Sequence, residues 1–215
     1  MNKRDAMGGH GLTLSIAVKG GLGLARGLYT STPVLTATGW VAMGALTVGD
    51  LVVTRNQGLL PIVATRPELR AALWAVLIPE GALGNDQEVM LPPGQPVLDE
   101  TPYALPFTGE PLALVPAAAL EGWRGIAPHV PSYPETILQM RLSRPGLVLA
   151  GPGLIIGVEA IDTAEVDLLA MLLFVPERPV LPLAVARQLV AALIAEETGF
   201  DLRANHQATF RPAKR

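Results

Sequence analysis

Glycine and proline most restrict how this chain can fold, with 22 glycines and 20 prolines spread through 215 residues. Proline fixes φ and removes a backbone donor, and glycine supplies turns that other residues avoid, so the segments between them stay short. That argues against a bundle of long helices and for a mainly β domain of short strands. The apolar runs have the matching length. Pro33–Thr38, Asp50–Arg55, Ala71–Ile78, Val89–Leu91, Val97–Leu98, Leu112–Val115 and Ile137–Leu142 read as a meander that Leu147–Ala150 closes. Ala71–Ile78 is apolar at nearly every position, which suits a strand buried on both faces.

Half of the residues are hydrophobic and only 16% are charged. Apolar surface beyond an ordinary core needs cover, and large exposed patches of it mark partners or membranes. No uninterrupted apolar run reaches the roughly 18 residues of a spanning helix, and the N-terminal MNKRDAMGGHG is interrupted by Asp5 and glycines, unlike a signal peptide. A cytoplasmic location is the expectation. A net charge of −3 lacks the basic footprint of a nucleic-acid binder, so no nucleic-acid partner is expected. The absence of cysteine rules out disulfides, thiolate metal sites and cysteine nucleophiles.

The stretch Gly27 to Thr54, GLYTSTPVLTATGWVAMGALTVGDLVVT, carries the strongest pattern. It resembles the opening of a Hint module, the Hedgehog/intein autoprocessing family in its bacterial stand-alone form, C-F-x-x-G-T-x-I-x-T-x-x-G followed by G-D-x-V-x-T. With Gly39 on the last glycine of the first block, Thr32, Val34 and Thr36 fall on its Thr, Ile and Thr, and Gly49 to Thr54 fall on the second block. The same register sets Gly27 where the family has its nucleophilic cysteine. Downstream, Gly81 to Gly84 resembles the family's A-G-A-L-G, and Met90 to Leu98 its [ST]-P-x-H-x-V-L, with Pro92 at the hydroxyl position and Gln95 at the histidine. Val115 to Leu120 resembles V-P-A-x-x-L. Ile137 to Gly151 resembles Y-x-H-x-x-x-D-R-H-x-V-x-x-x-G, with Gln139 and Pro145 in place of its two histidines.

The resemblance implies an all-β Hint fold over roughly residues 26–160 and a reaction whose participants are missing. Autoprocessing needs an activated thiol or hydroxyl to attack the preceding carbonyl, and a group that protonates the departing amide nitrogen. Glycine cannot attack, and a carboxamide does not titrate near neutral pH. The expectation is therefore a Hint-like domain that has lost self-cleavage and acts as a structural or interaction subunit, with no catalytic residue, no cofactor and no metal. The alternative within the same fold is a domain that still cleaves itself through Ser31 or Thr32. Displacement of the nucleophile by four or five residues would move the scissile bond too, and strand hydroxyls mostly satisfy backbone groups, so the structural role is preferred for both.

Three segments follow from the texture of the chain: a glycine-rich arm over residues 1–26, the Hint-like domain over 27–160, and a helical extension with a basic tail over 161–215. In the arm, Leu12, Leu14, Ile16 and Val18 alternate as in a strand, which leaves an added strand or a docking arm open. Asp162 and Glu165 offer a cap for an apolar run at residues 166–174, helix or strand. Pro182 opens a helix over Leu183–Thr198 with Gly199 as its stop. Val185, Leu189 and Leu193 form its apolar stripe, expected to face a protein partner or assembly, while a membrane surface could take the 166–174 run and the basic tail instead.

The other conspicuous residues have plain explanations. His10, His129 and His206 match no metal spacing. Asp50 reads as a turn residue. Gly20, Gly21 and Gly23 lack the Lys-Ser/Thr that completes a phosphate loop, and Trp40, Trp74 and Trp123 are too scattered for a base-stacking platform.

Overall fold

The computed structural model describes residues 24–68, 74–132, 135–160 and 178–199. Thirteen strands occur among them: β1 Leu28–Tyr29, β2 Pro33–Thr36, β3 Gly39–Ala42, β4 Leu51–Thr54, β5 Gly58–Pro67, β6 Ala75–Ile78, β7 Val89–Leu91, β8 Pro96–Asp99, β9 Ala113–Pro116, β10 Ala127–His129, β11 Ile137–Leu142, β12 Gly146–Leu149 and β13 Ile155–Val158. The fold is mainly β and antiparallel, as the turn density implies. One sheet runs β1-β11-β5-β4-β12-β13-β8-β9, with β2 joined to β3 and β4, and a smaller one runs β10-β6-β7.

Besides the short strands β1 and β10, which the sequence expectation does not contain, three strands depart from it. β3 lies inside what reads as a turn-rich link, because four residues opened by Gly39 show too little alternation to register. β5 spans ten residues although it contains Pro61 and ends on Pro67. The meander closes with β13, one strand later than Leu147–Ala150 suggests. β5 and β11 pair from Leu138↔Pro67 to Leu142↔Ile62, with a register shift between Arg141 and Leu142. A shift of this kind bends the pair and raises its twist. β1 then adds to β11, Leu28 opposite Leu138 and Tyr29 opposite Ile137, which fixes where the chain enters the domain.

The core collects residues from every layer, among them Val34, Val52, Ile62, Ile78, Leu91, Val115, Leu142 and Val148. The helix Leu183–Glu197 belongs to it. Leu189 is fully buried, Leu193 is 6% exposed, and Ala186 and Val190 are buried beside them. The helix rests on β9 and on the turns Pro102–Ala104 and Ala117–Ala119, where alanines let it approach closely. Its approach is pinned by Leu181 N–H donating to Leu114 O at 2.8 Å. At its last turn Glu197 accepts from the Trp123 indole at 3.0 Å and pairs with Arg124.

These contacts correct the assignment of Val185, Leu189 and Leu193 to a partner surface. The stripe covers the domain's own buried β9 and alanine turn, and Val185 packs against the same core. The arm residues 12–18, the 166–174 run, the basic tail, His10 and His206 lie outside the described residues. Among the described residues, no helix is long and apolar enough to cross a membrane.

Candidate functional site

The segment 24–27 enters the domain across the turn Gly94–Gln95 and alongside β11 and β13. Gly94 N–H donates to Ala25 O at 2.8 Å. A side chain at Gly94 is impossible in this arrangement, since a Cβ there would stand 2.7 Å from Leu24 O and 2.8 Å from Ala25 O. Gln95 is 4% exposed and fully engaged. Its Oε1 accepts from Gly27 N–H at 3.0 Å, and its Nε2 donates to Gly157 O at 3.0 Å and to Pro96 O at 3.3 Å. This set of partners admits one orientation of the carboxamide, because an N–H needs the oxygen and the two carbonyls need the NH2.

Gly27 and Gln95, far apart in sequence, are therefore in direct contact. Gln139 completes the group: its Nε2 donates to Glu68 Oε2 at 2.6 Å, and the same oxygen accepts from Arg26 N–H at 3.2 Å. The two amides on either side of the Arg26 Cα are thus each held by a side chain. Gly27 has φ of +119°, and a Cβ there would lie 2.5 Å from Leu138 O and 3.0 Å from Ile137 Cγ2. Neither the dihedral nor the space admits a side chain.

A cleft of about 820 Å³ surrounds this junction. Glu159, which bridges Arg26, at 2.9 Å, and Arg141, lines it. Apolar residues such as Ile156, Val158 and Leu181 line it too. Chemically, the site can hold backbone amides with carboxamide and carboxylate groups. Glu68, Arg26 and the Arg141–Glu159 pair are not legible in the sequence, because nothing in their local pattern announces that β5, β11, β13 and the segment 24–27 meet here.

The remaining candidates lie elsewhere. Ser31 is exposed in the turn after β1, where its hydroxyl donates to Glu135 at 2.7 Å. Thr32 is 5% exposed, and its carbonyl accepts from Met43 N–H. Thr36 Oγ1 donates to Gly39 O at 2.8 Å and accepts from Thr38 N–H, closing the β2–β3 turn. Asp50 Oδ2 accepts from Thr47 N–H at 2.7 Å, the bond of a turn residue. His129 is exposed in β10. No group of three or more His, Asp or Glu among the described residues could hold a metal ion.

Two buried polar atoms have no partner among the described residues, Tyr29 Oη and Asp99 Oδ2. Burial pushes the Asp99 carboxyl up to about 6, against a smaller lowering by Arg124. Burial, with the nearby Glu135 charge, pushes the Tyr29 phenol up to about 12.

The family model of the Hint domain matches residues 27–154. This chain belongs to the Hint domain family. The match begins at the glycine that touches Gln95 and takes in twelve of the strands. Among solved structures, this Hint domain is similar to the MchDnaB-1 intein in its N145AA form, at 20% identity and a TM-score of 0.40 over 62% of this chain and 99% of that one. It is similar to the Msm DnaB1 intein splicing domain bound with zinc, at 20% identity and 0.40 over 61% and 99%. It is also similar to a bacterial intein-like domain from Clostridium thermocellum, at 13% identity and 0.46 over 62% and 99%. No curated protein matches it significantly.

Proposed function

We propose that this Hint domain no longer processes itself and works by binding, as a structural or interaction subunit of an assembly. What supports the reading most is the backbone at Gly27. In the family's pattern this is the attacking position, yet here φ is +119° and a Cβ would meet Leu138 O at 2.5 Å. A nucleophile has to sit in near-attack geometry, and a displacement of about an ångström already costs roughly a hundredfold. At the other end of the reaction, the Gly27 N–H is held by a carboxamide that carries no exchangeable charge near neutral pH. The junction that the family breaks is thereby a structural joint, with both neighbouring amides bonded inward.

Hydroxylamine trapping tests the proposal. An ester or thioester formed at the junction is cleaved by hydroxylamine, so an active domain yields a discrete shorter product and this one stays whole. A product beginning at Gly27 would refute the loss of processing. A product beginning near Ser31 would instead establish Ser31 or Thr32 as a displaced nucleophile.

A further inference from the structure

From β2 to the first half of β5, apolar residues lie on both faces of the sheet. On the inner face Val34, Val52 and Ile62 are fully buried and Leu60 is 8% exposed. On the outer face the pairing registers build a continuous row. Trp40 stands opposite Leu35, and the Thr36↔Val52 pairing carries the register on to set Leu35 beside Val53. Val53 stands opposite Leu59, and Leu51 opposite Pro61. Directly opposed residues share a face, so these six side chains point the same way. Trp40 is 44% exposed, Leu51 41% and Leu59 48%.

No charge interrupts the row. At its margins Arg55 is paired with Glu100, and Asp50 is engaged by Thr47. Among the described residues β3 pairs with β2 alone, so nothing described walls the row off on that side.

We propose that this outer face is where two copies of the chain stack, sheet against sheet about a two-fold axis. An isologous contact needs a surface complementary to itself. A neutral apolar row meets that condition, whereas it offers no charge by which a different partner would be chosen. The net charge of −3 sets little repulsion against self-association. Trp40, Leu51 and Leu59 at these exposures, together with the half-buried Leu35, Val53 and Pro61, present roughly 300–500 Å² of mainly apolar surface, the size of a monomer's largest patch. At the ~65% apolar content of homodimer interfaces this corresponds to about 600 Å² per partner, the lower end of specific association. Stacked sheets lie about 10 Å apart with strands within ~30° of alignment, which lets the two Trp40 rings interdigitate with the opposing leucines.

The inference rests on the binding role proposed above and names its partner, and it is read separately from processing, because oligomeric state does not depend on an intact junction. Sedimentation equilibrium of the full chain should show reversible dimerisation between about 1 and 200 µM, as a small interface implies. Trp40→Lys should raise the dimer dissociation constant at least roughly tenfold, as loss of the row's one aromatic anchor does, with an unchanged circular dichroism spectrum. Leu59→Lys, at the other end of the row, should do the same and keeps the test open if the first variant fails to fold. A wild-type chain that is monomeric throughout that range would overturn the proposal. So would two folded variants that dimerise as well as the wild type, which would move the interface to another face.

Discussion

Replacing Gly27 by alanine asks whether the junction has room for any side chain at all. The new methyl carbon would lie 2.5 Å from Leu138 O, 2.9 Å from Leu138 C and 3.0 Å from Ile137 Cγ2. The first two are backbone atoms of a strand held between β1 and β5, so they cannot rotate away. The φ of +119° adds strain of its own, because non-glycine residues avoid that region. Backbone strain of about 1–3 kcal/mol and overpacking of a similar size give an expected loss of about 2–5 kcal/mol. At roughly 2–4 °C per kcal/mol for a chain of this length, thermal unfolding should fall by about 5–15 °C. Urea unfolding followed by circular dichroism measures the loss directly. Gly27→Cys should behave in the same way, and intact mass should show no cleavage before residue 27. An alanine variant within about 0.5 kcal/mol of the wild type would contradict this expectation. The junction would then accept a side chain, and the missing nucleophile would be an easily reversed substitution.

The C-terminal helix and the buried carboxylate give two further expectations. Leu189→Ala removes a fully buried side chain from the helix's contact with the core, and should cost about 2–5 kcal/mol in urea unfolding. Truncation after Pro176 should leave a chain without cooperative unfolding, and a β domain that still melts sharply would return the helix to the role of an appendage. Asp99 is 9% exposed and its carboxyl is pushed up from 3.8 to about 6, so the native state binds the proton more tightly than the unfolded state. The penalty from ionising it is absent below pH ~4 and fully present above about 6, which makes this group's contribution favour folding as pH falls through that window, by at most about 3 kcal/mol. Asp99→Asn should stabilise the protein at pH 7 and flatten that part of the pH profile. Equal pH dependence in the two proteins would show that Asp99 is not the group responsible.

Much of the β framework was legible because the residues that bury themselves are apolar at strand spacing. β4, β9 and β12 announce themselves in LVVT, ALVP and GLVL, bounded by turn residues. β5 was obscured by Pro61, a residue that ordinarily argues against a strand interior. The helix Leu183–Glu197 was readable from its opening Pro182 and its closing Gly199. Its role was not, since a stripe such as Leu189 and Leu193 records that something covers it and not what. The sequence pattern brought Gly27 and Gln95 to one site through their shared resemblance, and the 3.0 Å bond between them is where that inference meets geometry. Glu68 and Arg141 stayed hidden because their partners, Gln139 for the one and Glu159 for the other, are brought to them by the packing of β5, β11 and β13, which no local pattern encodes. The high apolar fraction also has an address: β4 is LVVT because Val52 faces the core while Leu51 and Val53 face outward.

On the proposed reading, the bond between Arg26 and Gly27 is a permanent part of the fold. Intact mass of freshly expressed full-length protein, followed over days at neutral pH with and without added thiol, tests it most directly. One species with the mass of all 215 residues is expected. Steady accumulation of a fragment lacking the first 26 residues would contradict it.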